Sequence, residues 1–151
     1  MLFSAHSVPV AVIEEGDPYQ QQIEETVELL MARGGWRNPY RLCYQSKVGA
    51  SKWLQPSLRA TLRELGSREV KDVCVVPVSF VSDHVETLGE IDHEARELAY
   101  ATGIQRFEMV PGLNDSPKFI ACLADLVMTA AGLKCEEPAL MAAGELLAPS
   151  L

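Results

Sequence analysis

The chain has 151 residues, of which 48% are hydrophobic, 23% charged and 7% aromatic. That is enough apolar material for one ordinary core and too much for a disordered or collagen-like polymer. Thirteen basic against 21 acidic residues give a formal charge of -8, so the field that draws a protein to phosphate backbones is missing and no nucleic-acid partner is expected. No apolar run approaches the ~20 residues of a membrane span and residues 1–12 carry no basic n-region, so a soluble, cytoplasmic chain is the expectation.

Short apolar runs alternate with longer segments of helical period, the pattern of a parallel sheet covered by crossover helices. Residues 2–5 predict the first strand. Asp17 before Pro18 reads as a cap with proline at the first helical position, and Tyr19, Ile23, Val27 and Leu30 recur at helical spacing until Gly34 and Gly35. Residues 40–44 predict the second strand. After a polar turn through Ser46, Lys47 and Gly49, a helix carries Leu54, Leu58, Leu62 and Leu65, with Gly66 as its left-handed stop.

Residues 73–80 form a continuous β-branched run suited to a strand buried on both faces, with Pro77 placed where no ladder donor is needed. Ser82 or Asp83 can cap a third helix, whose apolar stripe reads as Val85, Leu88, Ala95, Leu98 and Ala99 before Gly103. A fourth strand, 106–110, leads to Ser116 and Pro117, a second cap-plus-proline start, and a helix with Phe119, Ile120, Leu123, Val127 and Met128, stopped by Gly132. Residues 1–132 are thus read as one α/β domain and 133–151 as a tail with room for one short helix. The four cysteines, Cys43, Cys74, Cys122 and Cys135, show no zinc-knuckle or iron–sulfur spacing. The first three lie in apolar runs and read as small buried hydrophobes.

Four βα units close a three-layer sandwich whose common strand order is 2-1-3-4. In such a sheet ligands bind at the carboxyl ends of the strands beside the switch point, here between the first and third strands. His6 follows the first strand, where an imidazole can act as base or metal ligand; a histidine that only bonds its own loop is the plainer reading. Asp83, Glu86, Glu90, Glu94 and Glu97 fall at steps of three and four after the third strand. Alone they read as a solvated acidic face, but facing the same edge as His6 and His84 they become a candidate path for a divalent cation or for protons. Lys47 reads as a turn lysine or an anion contact, and Trp53 as a pocket wall or a side chain packed on the sheet. The loop after the first strand has no glycine-rich phosphate cradle, which disfavours a mononucleotide site.

The segments LFSAHSVP (2–9), YQSKVG (44–49) followed by Trp53, and PVSFVSDHVETLGEID (77–92) occur in the order found in one enzyme family. Over residues 1–130 the chain resembles the carboxy-terminal half of ferrochelatase. The resemblance implies a chelatase-like, flavodoxin-like half and the insertion of ferrous iron, as a substrate, into protoporphyrin IX to give protohaem. It implies no redox or organic cofactor. Its catalytic pair falls on His6 and Glu86, its metal or proton path on His6, Glu86, Glu90 and Glu94, and its pocket residues on Ser46, Lys47, Trp53, Asp83 and His84. It also implies a widened helical turn in the acidic segment.

The sequence departs from the family in three places. The amino-terminal half has no counterpart, so the cleft is expected to be completed by that half or by a second copy, as in the single-domain cobalt chelatases that act as homodimers. Gly89 stands where many members carry an aromatic residue. Cys135 is alone in the tail, so no iron–sulfur cluster is expected. Poorly soluble substrates suggest peripheral membrane contact. The competing expectation is a half-domain that binds a tetrapyrrole or metal without catalysis.

Overall fold

The computed structural model of the chain describes residues 1–47 and 49–133. It divides into a unit spanning 1–114 and a second spanning 115–151. In the first, strands β1 (Leu2–His6), β2 (Arg41–Gln45), β3 (Asp72–Pro77) and β4 (Arg106–Met109) form one parallel sheet in the order β2-β1-β3-β4. The strands are interleaved with helices α1 (Val10–Glu14), α2 (Tyr19–Gly34) and α3 (Leu58–Ser67), a π-helix (Glu86–Ala95) and α4 (Arg96–Ala101).

Side chains alternate across the sheet with the two-residue period of a strand. Leu2, Cys43, Val73, Val75 and Phe107 pack with Leu58 and Leu62 of α3, Ile91 and Ala95 of the π-helix and Ala99 of α4. On the opposite side Phe3 meets Val27 and Met31, and Ala5 and Tyr44 meet Ile23, all three helical residues belonging to α2. Burial pushes the Cys43 thiol up to about 12, which keeps it an inert core group.

Several boundaries differ from the sequence expectation. β1 runs one residue further, to His6, and the short α1 follows it. In α2 the third buried position is Met31, while Leu30 faces solvent. Leu54 is buried but lies before α3, which starts after Ser57, whose hydroxyl accepts the Ala60 N–H. Gly66 is a helical residue and not the left-handed stop; that role falls to Glu69, with φ 59°. Gly66 is required by a close approach, because a Cβ there would sit 2.5 Å from the Thr102 carbonyl oxygen. β3 ends at Pro77, opposite Ser4, and the Ser4 carbonyl is met instead by the Val78 N–H.

The acidic segment departs most from the α-helix read from its stripe. Over ten residues it is a π-helix, in keeping with the widened turn the resemblance implies. Its buried row is Thr87, Ile91 and Ala95, continued by Ala99, whereas Val85 is 81% and Leu88 50% exposed. An α-helix advances about 40° past a full turn at every four-residue step, and a wider helix falls short of one, so the π-helix presents a different row to the core than the α-helical stripe does.

In the second unit, α5 (Pro117–Ala130) begins at Ser116, whose hydroxyl accepts the Phe119 N–H, and Gly132 follows it with φ 68°. None of its residues is buried, Cys122 included. Cys74 is half-buried, so of the three cysteines read as buried only Cys43 is. The expected tail helix and Cys135 lie outside the described residues.

Candidate active site

At the carboxyl end of the sheet, β1 ends in His6 and the segment after β3 leads into the π-helix, the switch-point geometry of an open parallel sheet. His6 Nε2 lies 3.6 Å from Glu86 Oε1, with the two side chains 39% and 37% exposed. The other ring nitrogen, Nδ1, lies 2.7 Å from the Ser7 carbonyl oxygen. A carbonyl can only accept, so Nδ1 carries the proton in the neutral ring and the Nε2 lone pair points at the carboxylate. Two acceptors face to face at this separation leave one chemical role open: a proton or a divalent cation taken up at Nε2 is stabilised at once by Glu86.

His84 is the neighbour of this pair and not its equivalent. Its Nδ1 accepts the Glu86 N–H at 3.2 Å and is 4.0 Å from Glu86 Oε2. It thus satisfies a first-turn donor that no helical carbonyl reaches. Phe80 stands between the imidazoles, its ring centroid 6.2 Å from that of His6 and 4.9 Å from that of His84. A brace runs from sheet to helix beneath them: Ser4 Oγ donates to Gln45 Oε1 at 2.6 Å, and Gln45 Nε2 to the Glu86 carbonyl at 3.3 Å.

Of the residues expected to touch substrate, Asp83 is directed elsewhere. Its carboxylate accepts from Asn114 Nδ2 at 2.9 Å and the Gly112 N–H at 3.0 Å, which, Asn114 first, hold its carboxyl below the usual range. Asp83 therefore ties the start of the π-helix to the loop after β4. Fully buried Thr87 joins this brace by accepting the His84 N–H at 2.9 Å.

One turn along, Glu90 Oε2 accepts both the N–H and the hydroxyl of Ser46, at 2.9 and 3.0 Å. Ser46 sits in the left-handed region, φ 62°, and its placement makes both donors converge. Glu94 pairs with Arg59 at 3.2 Å. Ser46, Lys47, Arg59, Glu90 and Glu94 line a cleft of about 380 Å³. The structure therefore distributes the expected metal set. His6 and Glu86 meet, Glu90 and Glu94 bind other partners, and no group of three or more His, Cys, Asp or Glu gathers to hold a metal among the described residues.

Trp53 forms a bridge with Pro9 on the segment after His6, and its Nε1–H is buried without a partner. Gly89 has open space above it, since a Cβ there would meet only Val85 Cγ2, at 3.9 Å. Tyr19 carries no site signal in the sequence, whereas Gln45 lies within the YQSKVG segment and Ser79 and Phe80 within the stretch after the third strand, without a role of their own.

A family model described as Ferrochelatase matches residues 1–131. The chain belongs to the ferrochelatase family. It is 54% identical over 130 residues to the ferrochelatase of Synechococcus sp. (strain RCC307), covering 85% of this chain and 34% of the relative. Against the ferrochelatase of Geobacter sp. (strain M21) the identity is 52% over 131 residues, covering 87% and 41%. The matched segment thus spans between about a third and two-fifths of these relatives. Among solved structures, the putative cobalamin (vitamin B12) biosynthesis CbiX protein from Marinobacter aquaeolei VT8 superposes with a TM-score of 0.55 at 14% identity, over 87% of this chain and 95% of that one. That likeness concerns the fold. No helix among the described residues is long and apolar enough to cross a membrane.

Proposed function

We propose that this chain performs the metal-inserting chemistry of a ferrochelatase in the cytoplasm, placing ferrous iron in protoporphyrin IX to give protohaem. In the balanced step iron stays divalent, two pyrrole N–H bonds break, four Fe–N bonds form and two protons leave, so no redox cofactor is consumed. The observation that carries the reading is the bare Nε2 of His6 facing Glu86 at 3.6 Å while its Nδ1 is tied to Ser7. Nε2 is the atom at which a proton or the incoming metal is exchanged, and Glu86 stabilises the charge that arrives there. Glu90 and Glu94, on the π-helix, carry metal or protons between the pair and solvent. Ser46, Lys47, Trp53 and His84 border the macrocycle. Family membership over residues 1–131 supports the assignment.

Because the chain spans 34% of one such relative, the reading includes a porphyrin cleft completed by further polypeptide, either an amino-terminal half or a second copy. The same fraction favours a second reading, a half-domain that binds porphyrin without turnover. Zinc insertion into a soluble porphyrin, followed by absorbance, separates them and avoids oxidation of ferrous iron. Turnover above the uncatalysed rate is expected. A flat trace with stoichiometric porphyrin binding means that no second copy completes the cleft; turnover that then appears on adding an amino-terminal half keeps the first reading, a trace that stays flat selects the second, and no porphyrin binding removes both.

A further inference from the structure

His6 is the last residue of β1, and toward β3 the ladder has already ended at the Ser4–Pro77 pair, where proline brings no N–H. Two side chains replace the missing partners. The His6 N–H donates to Ser79 Oγ at 2.8 Å, and the His6 carbonyl accepts the Tyr19 O–H at 2.7 Å. On the β2 side the Ser7 N–H donates to the Gln45 carbonyl at 2.8 Å. The peptide groups on both sides of the His6 Cα are thereby fixed, and with them the φ and ψ that aim its Cα–Cβ bond.

The ring inherits this control, because the Ser7 carbonyl that holds Nδ1 lies one peptide beyond the one Tyr19 grips. Tyr19 is itself anchored at the start of α2, where its N–H donates to Asp17 Oδ1 at 2.8 Å. Burial raises the phenol's pKa, and a bond with Ser79 acts the other way, so the group remains an O–H donor through the neutral range.

We infer that Tyr19 and Ser79 are positioning residues for His6: acting only through its backbone, they hold the imidazole in the Nδ1–H tautomer with Nε2 aimed at Glu86. The catalytic part of this inference rests on the proposed function; the conformational part stands without it. An imidazole free to swing loses the alignment on which proton or metal transfer depends, and small misplacements at a reacting centre carry large rate penalties.

The test compares Tyr19→Phe, Ser79→Ala and Ser79→Thr in the full 151-residue chain, using two readouts. Long-range nitrogen–proton NMR of the His6 ring reports the tautomer, and zinc insertion into a soluble porphyrin reports kcat and KM; circular dichroism checks the fold. Tyr19→Phe and Ser79→Ala are each expected to turn the single Nδ1–H signature into a tautomer mixture. Each is also expected to lower kcat about tenfold with the porphyrin KM unchanged. Ser79→Thr, which keeps the hydroxyl, restores both. His6 ring signals that stay at their wild-type positions in folded Tyr19→Phe and Ser79→Ala would overturn the inference, whatever the turnover. Signals that move as expected in a chain whose wild type never turns over, even with an amino-terminal half added, would sustain the conformational clamp and contradict the proposed function.

Discussion

The two histidines at the mouth of the sheet share a neighbour, a counter-charge and a degree of exposure, yet they are chemically opposite. Both side chains are 39% exposed, both flank Phe80, and both lie within 4.0 Å of a Glu86 carboxylate oxygen. The Nδ1 of His6 meets a carbonyl, so its proton is there and Nε2 is bare toward Glu86. The Nδ1 of His84 meets an N–H, so its lone pair is spent on the helix start and its proton sits on Nε2. The hydrogen-bond partner, more than the residue type, decides which imidazole can exchange a proton or metal. Protonating His84 at Nδ1 would cost the π-helix its first anchor.

The largest break of this pairing is His6→Ala. Zinc insertion should fall by about 10²–10⁴, the range for losing a positioned acid–base group, while circular dichroism stays native, since the His6 side chain is 39% exposed. Undiminished insertion would give the role to another group. Glu86→Gln keeps the shape and removes the charge facing Nε2; a loss of about 10² in turnover is expected, in line with removing one group that stabilises developing charge.

His84→Ala sharpens the contrast. It should cost about 1 kcal/mol of stability, the scale of a lost helix cap, read as a shift in the urea midpoint. Turnover should suffer far less than in His6→Ala. His84→Asn, which can still accept the Glu86 N–H, should recover the midpoint.

The smallest expected effect is on pH dependence. Asp83 has a depressed folded-state pKa, with the Asn114 bond as the first cause and the Gly112 N–H as the second. Its contribution is therefore present above the unfolded value of about 3.9 and is lost as pH falls through the lower folded value. Asp83→Asn should flatten the acid limb of the stability curve and leave the neutral plateau with a modest drop. An unchanged acid limb would contradict its bracing role.

The strand order was legible because β-branched runs and capped, glycine-stopped helices punctuate the chain, and right-handed crossovers leave one common arrangement. The π-helix was not legible from composition, because Val85 and Leu88 complete an α-helical stripe on paper. The row that is buried, Thr87, Ile91, Ala95 and Ala99, steps by four, a spacing midway between the two helix periods that singles out neither. His6 could be proposed from its place at a strand end, Glu86 from the acidic series after the third strand, and their pairing from the resemblance, but not the tautomer, which depends on the Ser7 carbonyl. Tyr19 read as one more apolar helical position and Ser79 as strand, because a hydroxyl meeting a backbone group 73 residues away leaves no local pattern. In α5 the period gives a stripe without saying what it packs on.

Long-range nitrogen–proton NMR of both imidazoles in one neutral-pH sample tests most directly the claim that two similar histidines have been given opposite roles. The expected spectrum shows His6 as the Nδ1–H tautomer and His84 as the Nε2–H tautomer. His6 found with its proton on Nε2, or the two rings found in the same form, would contradict it.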